Sequence, residues 1–323
     1  MANQKLLSVT DLQICIHGPA GRLYPAVDGV SFDMLEGEIL ALVGESGCGK
    51  SLTALAIDGL LDDDTVQSGG SISFCGKELS RLTEREKNTI YGKDIGMVFQ
   101  EPMTSLDPLM RIGKQVGESL QLHRKINRKE RDKLVEETLA SVKLENTKEL
   151  MQKYPHELSG GMRQRVMIAS ASILRPRLLI ADEPTTALDL LTQEEVVKLL
   201  KAINADSGTA ILFISHDLKL VSQISDRTAV MYAGKIVEIG HTDTIIRNPA
   251  HPYTRALLDS VPSRKMKGRP LGCISGRVPT VTEPKPPCPF APRCPLAKAE
   301  CFDRAPQVME RGEGHRVCCN FPI

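Results

Sequence analysis

The stretch Gly44-Glu45-Ser46-Gly47-Cys48-Gly49-Lys50-Ser51 fits the pattern GxxxxGK[ST]. The apolar run Ile39–Val43 before it predicts a buried strand, and the residues from Ser51 to Ile57 after it predict a helix. A strand that passes through glycines into a helix directs backbone N–H groups and a helix N-terminus towards an anion. In this pattern Lys50 brings a positive charge to the outer phosphates, and the Ser51 hydroxyl ligates Mg²⁺. Because both flanks argue against a chance glycine turn, the stretch predicts a nucleoside triphosphate site.

A pair of carboxylates, Asp182 and Glu183, follows the apolar run Leu178–Ala181, which predicts another buried strand. Ligands of α/β proteins bind at the carboxyl ends of the strands. We therefore predict that Asp182 holds Mg²⁺, directly or through water, and that Glu183 takes a proton from an attacking water. Without a phosphate loop in the same chain, this pair would indicate only the end of a strand.

Strand and helix patterns alternate along the chain. Further strands are predicted at residues 6–14, 26–34, 95–99 and 210–214, and a helix carries apolar residues at helical spacing, Val196, Leu199, Leu200 and Ile203. A charged, helical stretch from about Arg111 to Lys153 separates two of the strands. This alternation predicts an α/β fold, a mainly parallel sheet covered by helices, with an inserted helical subdomain at about residues 102–172.

The charge balance argues against a nucleic-acid partner, because 41 lysines and arginines nearly cancel 40 aspartates and glutamates. No apolar run approaches the ~20 residues that a membrane-spanning helix requires. The first residues lack the charged start and apolar core of a secretory signal. We therefore expect a soluble cytosolic chain that reaches a membrane only through a partner.

The segment Leu158-Ser159-Gly160-Gly161-Met162-Arg163-Gln164-Arg165 resembles the signature sequence of ATP-binding cassette (ABC) ATPases. The remaining family elements follow in the family order. Gln100 resembles the Q-loop glutamine, Asp189 in Ala187-Leu188-Asp189 the D-loop aspartate, and His216 the switch histidine. The family pattern extends from about Leu7 to Glu238. The resemblance implies a P-loop NTPase fold of the ABC type, with an N-terminal antiparallel β subdomain.

The resemblance also implies a set of site residues. ATP would contact the phosphate loop and its helix through Gly44, Ser46, Gly47, Cys48, Gly49, Lys50, Ser51 and Leu52. Cys48 would contribute mainly its backbone N–H. Mg²⁺ would be held by Ser51, Gln100 and Asp182, with Glu183, His216 and Gln100 in catalysis.

The resemblance also implies a second cassette. Ser159, Gly160, Gly161 and Asp189 would complete the ATP site of a second subunit. From the residues alone, Ser159 is equally an ordinary N-cap of a helix. Tyr24 would stack on adenine because a larger aromatic ring stacks more strongly, although His17 fits the usual position about as well.

Two further segments are similar to the dipeptide, oligopeptide and nickel importers of the family: residues 99–108, which include Gln100, and residues 248–258. The resemblance implies the ATP-hydrolysing subunit of a peptide importer, with nickel or another small solute as the alternative cargo. The implied partners are a paralogous ATPase in a heterodimer, two transmembrane permease subunits and an extracytoplasmic solute-binding protein. The chain would lie peripherally on the cytoplasmic face of the inner membrane.

Six of the nine cysteines lie near the C-terminal end, among prolines. Four of them, Cys288, Cys294, Cys301 and Cys319, offer soft thiolate ligands that suit a [4Fe–4S] cluster or tetrahedral zinc. The lack of paired CxxC motifs favours iron–sulfur over zinc, and the resemblance to peptide-importer ATPases favours it too. Cys318 and His315 are weaker ligand candidates, and Cys273 is predicted to be a bystander.

Three regions are therefore predicted: an ABC ATPase domain at 1–240, a linker and C-terminal helix at 241–262, and a cysteine-rich metal-cluster appendage at 263–323. Two other classes of ABC protein are less consistent with the sequence. A DNA-repair type would carry a long heptad coiled coil and a ribosomal type a second cassette, and neither pattern is present. The segment at 248–258 and the cysteine tail oppose an exporter.

Overall fold

The computed structural model describes residues 5–18, 21–261 and 274–323. The predicted bystander Cys273, the predicted boundary between residues 262 and 263, and part of the loop before Tyr24 lie outside the described residues. The strands are, in chain order, β1 (Lys5–His17), β2 (Leu23–Leu35), β3 (Ile39–Val43), β4 (Thr65–Phe74), β5 (Lys77–Glu78), β6 (Ile95–Val98), β7 (Leu178–Asp182), β8 (Ala210–Ser215), β9 (Arg227–Tyr232), β10 (Lys235–His241), β11 (Val308–Glu310) and β12 (Arg316–Cys318).

The helices lie between these strands in the chain. In chain order they are α1 (Lys50–Ile57), α2 (Glu84–Ile90), α3 (Pro102–Ser105), α4 (Ile112–Val116), α5 (Glu118–His123), α6 (Arg128–Ser141), α7 (Thr147–Leu150), α8 (Gly160–Ser172), α9 (Leu190–Ser207), α10 (Leu218–Ile224), α11 (Thr242–Arg247), α12 (Pro252–Asp259) and α13 (Glu300–Asp303). Strand β6 ends at Val98, one residue earlier than predicted, and Phe99 is exposed. No described helix combines the length and apolarity that crossing a bilayer requires.

The described chain divides into two compact units. The first contains Leu79–Phe213 with the short segment Leu35–Glu38. Here β6 pairs in parallel with β7, and β8 follows next in the sheet order. All five residues of β7 are buried, as a strand covered on both faces requires. Helix α6, which lies within the stretch predicted to be helical, buries Val135 and Leu139.

The second unit contains Leu7–Met34, Ile39–Glu78 and Ile214–Ile323. One of its sheets has the order β2–β1–β4–β5, in which β1 and β4 are antiparallel. In the other sheet, β3 pairs in parallel with β9, and antiparallel β10, β12 and β11 follow. Every residue of β3 is buried, which agrees with the apolar run before the phosphate loop. The phosphate loop therefore starts directly after a fully buried strand of this unit.

The cysteine-rich tail joins this sheet through β12, which the sequence pattern does not predict. Glu238 of β10 lies opposite Val317 of β12, and Ile239 lies opposite Arg316. The buried Glu238 carboxylate accepts hydrogen bonds from Ala250 N at 2.6 Å and His251 N at 3.0 Å, and it contacts His315 Nε2 at 2.8 Å. One carboxylate thus connects β10, the start of α12 and the tail.

Candidate nucleotide-binding site

The phosphate loop needs glycine at two positions for steric reasons. A Cβ at Gly44 would lie 2.2 Å from the carbonyl oxygen of Met231, closer than real Cβ contacts allow. Gly49 has φ of 105°, a backbone conformation that side chains disfavour, and a Cβ there would meet Met231 Cε at 2.7 Å. Strand β9, which carries Met231, therefore packs directly beneath the loop and fixes its path.

Lys50 begins helix α1, and its side chain is folded back over the loop. Only 4% of Lys50 is exposed, and its Nζ donates to Gly44 O at 2.9 Å and Glu45 O at 3.1 Å. No side chain caps the N-terminus of α1, where Gly49 is the N-cap. The first N–H groups of an α-helix lack partners within the helix, so this uncapped end beside a lysine is suited to binding an anion.

The thiol of Cys48 is fully buried inside the loop. Burial raises its pKa above the ordinary value, although Lys50 acts in the opposite direction. A thiol that is buried and protonated is a poor nucleophile. Cys48 is therefore shielded from alkylation. Ser51 and Leu52, at the start of α1, are half-buried.

In the first unit, Glu183 lies just beyond β7 with a buried carboxylate. It accepts hydrogen bonds from Gln100 Nε2 at 3.3 Å and from Thr186 Oγ1 at 2.9 Å. The structure thus brings together two of the predicted catalytic residues. The φ of Glu183 is 44°, a left-handed conformation that costs a non-glycine residue of order 1–3 kcal/mol. Such strain is concentrated at functional sites, and Asp182 beside it is buried as well.

The signature and D-loop residues also meet within the first unit. Ser159 Oγ caps α8 by accepting from Met162 N at 3.3 Å, and no atom lies within 4 Å of a Cβ built on Gly160. Asp189 caps α9 and accepts from Thr192 Oγ1 at 2.7 Å, a hydrogen bond that lowers the pKa of Asp189. Thr192 Cγ2 would lie 3.0 Å from a Cβ on Gly161. The N-terminus of α8 therefore opens to solvent beside the Asp189 loop.

His216 and Tyr24 belong to the second unit. His216 is exposed directly after β8, at the point where Asp217 caps α10. Tyr24 is half-buried, and the Arg22 guanidinium lies over its ring at 5.4 Å from the centroid. His17 ends β1 and is exposed. Neither aromatic side chain is singled out by these contacts, so Tyr24 stays a prediction for the adenine contact.

The predicted [4Fe–4S] cluster is wrong, and the same finding removes the zinc alternative. Across residues 5–18, 21–261 and 274–323, no three or more His, Cys, Asp or Glu side chains form a group that could hold a metal ion. The predicted ligands do line one small pocket, but they share it with apolar side chains; these ligands are Cys288, Cys294, Cys301 and Cys319. Burial raises the pKa of Cys319 to about 11, so this side chain is a neutral thiol at physiological pH.

Aromatic packing and hydrogen bonds hold the tail where a metal was expected. The Phe290 ring packs against Tyr232 and Tyr253, with centroids 5.2 Å and 5.3 Å apart. The weaker ligand candidates are also engaged elsewhere, since His315 contacts Glu238 and Cys318 Sγ lies 3.5 Å from Pro306 O. These contacts pack the tail against the segment around α12.

A second set of residues, which sequence patterns do not indicate, contacts the phosphate loop. Arg293 of the tail pairs with Glu45, and the hydroxyl of Tyr253 in α12 accepts from Glu45 N at 3.0 Å. No motif marks Arg293, which lies among cysteines and prolines. Its one local signal is a charged side chain in an otherwise uncharged stretch, residues 288–297.

The buried imidazole of His251 makes stability dependent on pH. Burial lowers its pKa from 6.5 to about 3, and its Nδ1 accepts from Tyr253 N at 3.0 Å at the start of α12. As the pH falls below 6.5, the unfolded chain binds this proton before the folded chain does. We therefore expect stability to fall by about 1.4 kcal/mol per pH unit between pH 6.5 and 3.

A His251→Asn variant keeps a side-chain acceptor at this N-cap and removes the titration. Denaturant unfolding of both proteins between pH 8 and 5 should show that the wild-type chain loses more unfolding free energy than the variant, by about 2 kcal/mol at pH 5. Equal pH slopes in the two proteins would contradict a buried, neutral His251.

Comparison with solved structures defines the class of protein. The chain is similar to the ATP-binding cassette MJ0796 in a dimeric post-hydrolysis structure bound to ADP and Pi, with TM-score 0.66 and 27% identity over 73% of this chain and 99% of that one. It also resembles cbiO1 of Clostridium perfringens, with TM-score 0.63 and 27% identity over 76% of this chain and 91% of that one. The ABC transporter family model matches residues 27–186. The fold and the phosphate loop thus define an ABC-type ATP-binding cassette, as predicted.

A narrower family is shown by a C-terminal segment and by relatives that match nearly the whole chain. Residues 237–301 match the model described as oligopeptide/dipeptide transporter, C-terminal region. The dipeptide transport ATP-binding protein DppD of Bacillus subtilis is 45% identical over 98% of this chain and 94% of its own length. The oligopeptide transport ATP-binding protein OppD of Salmonella typhimurium is 43% identical over 98% and 94%. The chain belongs to the family of peptide ABC transporter ATP-binding proteins.

Proposed function

We propose that this chain is the ATP-hydrolysing subunit of an importer for dipeptides or oligopeptides. The observation that carries the proposal is the match of residues 237–301 to the peptide-transporter region, in a chain with a complete phosphate loop. The relatives are named for peptide transport, and dipeptide and oligopeptide transport proteins match over nearly the whole chain. These names support peptides over nickel as the cargo.

For nucleotide binding, we assign the triphosphate to the loop from Gly44 to Ser51 and to the N–H of Leu52. Lys50 supplies the positive charge, and its present bonds to loop carbonyls hold the ammonium group beside the uncapped end of α1. The glycines allow the backbone to approach the phosphates closely. Tyr24 is our candidate for stacking on adenine.

For hydrolysis, ABC ATPases use Mg²⁺, and we assign Ser51, Gln100 and Asp182 as its ligands. Hydroxyl, amide and carboxylate oxygens are the donors that Mg²⁺ prefers, and these residue types fit the ion. When bound, Mg²⁺ neutralises phosphate charge. Glu183 is the proposed general base. Gln100 and Thr186 donate hydrogen bonds to its carboxylate and hold it in place, which supports this role. His216 is proposed to contact the γ-phosphate.

The open N-terminus of α8 supports the proposal of a partner cassette. We propose that Ser159, Gly160, Gly161 and Asp189 face the nucleotide held by a paralogous ATPase, in a heterodimer. The similar cassette MJ0796 is dimeric in its solved structure, which supports a pair of cassettes. Two transmembrane permeases and an extracytoplasmic solute-binding protein would complete the importer. The chain would then lie peripherally on the cytoplasmic face of the membrane, with no nucleic-acid partner.

A Lys50→Ala variant tests nucleotide binding. Loss of the ammonium group should weaken ATP binding by about 10- to 100-fold, because a hydrogen bond to a charged group contributes ~1.5–3 kcal/mol. The measurement is the Kd of the full chain for ATP by calorimetry. Lys198→Ala on the exposed face of α9 is the matched control, and it should bind like the wild-type chain. Equal affinity of both variants would contradict the assigned site.

A further inference from the structure

Glu45, the second residue of the phosphate loop, is held by two residues that follow the cassette motifs in the chain. Its carboxylate contacts Arg293, which lies 248 residues away in the sequence. Its backbone N–H donates to the hydroxyl of Tyr253 at 3.0 Å. None of the ATP-site motifs requires either contact, yet both act on a loop whose backbone directions decide how phosphates bind.

The contact between Arg293 and Glu45 is an ion pair with two hydrogen bonds. Nη1 donates to Oε2 at 2.7 Å and Nη2 to Oε1 at 3.0 Å, the paired geometry that suits a guanidinium and a carboxylate. The Arg293 side chain is only 6% exposed. Its Nε donates to Ser275 O at 2.9 Å, and Nη1 also approaches the Tyr232 hydroxyl at 3.3 Å. The guanidinium therefore has little freedom to leave Glu45.

Tyr253 is held with similar rigidity. Its ring is fully buried and packs against Tyr232 and Phe290, with centroids 4.6 Å and 5.3 Å apart. Phe290 belongs to the cysteine-rich tail, whereas Tyr253 belongs to α12. The two contacts on Glu45 thus depend on one aromatic cluster, which we define as Tyr232, Tyr253 and Phe290.

The charges give this arrangement a consequence for nucleotide binding. A carboxylate in a loop that binds a triphosphate repels the ligand unless a cation neutralises it, and Arg293 is the cation paired with it. Because the pair is mostly shielded from water, its field is screened only weakly by salt. Removing Arg293 would leave Glu45 negative beside the phosphates and free to change conformation.

We propose that Arg293 and Tyr253 are positioning residues for the phosphate loop, through which the tail and α12 set the affinity for ATP. Arg293 neutralises and orients the Glu45 carboxylate, and Tyr253 fixes the direction of the Glu45 N–H. The inference rests on the proposed nucleotide-binding function and gives the cysteine-rich tail a role that needs no metal.

The test compares the ATP affinity of Arg293→Met, which keeps the length of the side chain, with that of Arg277→Met. Arg277 is the matched control, because it also belongs to the tail but pairs with Glu283 in an exposed position. We expect Arg293→Met to raise the Kd for ATP about tenfold and Arg277→Met to change it less than about twofold. The effect should be larger for ATP than for AMP, which carries less charge.

Adding Glu45→Gln to Arg293→Met separates positioning from a general loss of structure. If the unpaired carboxylate is the cause, the double variant should recover most of the affinity, although it has lost both charged groups. A general loss of structure would not be repaired by this second change. If the double variant binds ATP as weakly as Arg293→Met does, the electrostatic role of Arg293 is overturned.

Tyr253→Phe keeps the aromatic cluster and removes only the acceptor of the Glu45 N–H. We expect its Kd for ATP to rise about three- to tenfold with little change in Tm. If Arg293→Met does not fold, the Kd of Tyr253→Phe for ATP tests the positioning role by itself. If the wild-type chain binds ATP, Lys50→Ala binds it more weakly, and Arg293→Met and Tyr253→Phe bind it like the control, this inference alone is overturned. A wild-type chain that does not bind ATP would overturn the proposed function with it.

Discussion

A Glu183→Gln variant is expected to bind ATP normally and to lose about 10²–10⁴-fold in hydrolysis rate, as the loss of a general base does. The amide keeps the size of the side chain, and its oxygen still accepts from the Thr186 hydroxyl, which lies 2.9 Å from the carboxylate in the wild-type chain. It no longer takes a proton from water. The strained backbone at this residue should persist, because it depends on the surrounding contacts and not on the charge.

The measurement pairs the ATP hydrolysis rate with the Kd for ATP, both with the partner subunits present. Glu194→Gln is the matched control, since it makes the same chemical change at an exposed position in α9. The control should hydrolyse ATP at the wild-type rate. Hydrolysis by Glu183→Gln within a few-fold of that rate would remove Glu183 from the proposed mechanism and leave ATP binding unaffected.

A Gly160→Asp variant is expected to retain ATP binding at its own phosphate loop and to lose about 10²–10³-fold in the hydrolysis rate of the assembled complex, the range seen when an electrostatic contact to the reacting group is removed. The space around Gly160 is open, so the new side chain has room. An aspartate in the first turn of α8 also favours the helix dipole, so folding should not suffer. Its charge would instead repel the phosphates held by the partner.

The uncharged variant Gly160→Ala separates charge from size at this position and should lose much less activity. Rates are measured over a range of concentrations of the chain and its partner ATPase. The wild-type rate per chain should rise with concentration, because each site needs the signature of another subunit. A rate per chain that is independent of concentration and equal in Gly160→Asp and wild type would refute the shared site.

Local patterns predict the elements around the phosphate loop well. Strand β3 has the predicted bounds, Ile39–Val43, and α1 starts one residue before the predicted position. Both carry strong apolar patterns within a few residues of the glycines. The parallel α/β arrangement and the membership of the ABC family are likewise confirmed. These features depend on short-range sequence, which one chain displays directly.

Contacts between distant parts of the chain are not visible in this way. Strand β12 has three residues and no periodic pattern, and it forms because β10 offers it an edge for pairing. The pair Arg293 and Glu45 is set by the folding of the tail, so neither residue indicates the other. The incorrect metal prediction has the same origin, since cysteine spacing shows which residue types are present and not whether the folded chain groups them around an ion.

The pairing of β12 with β10 bears on how the chain is made. Strand β10 leaves the ribosome well before residues 316–318, so for a time its edge has no partner and is open to other chains. Glu238 lies in that strand, and a charged residue on an open edge opposes pairing with a neighbour. Once β12 is in place, the same carboxylate is buried and accepts the bonds from Ala250 and His251. Glu238 therefore opposes edge pairing while the chain is incomplete, and it stabilises the start of α12 once the chain has folded.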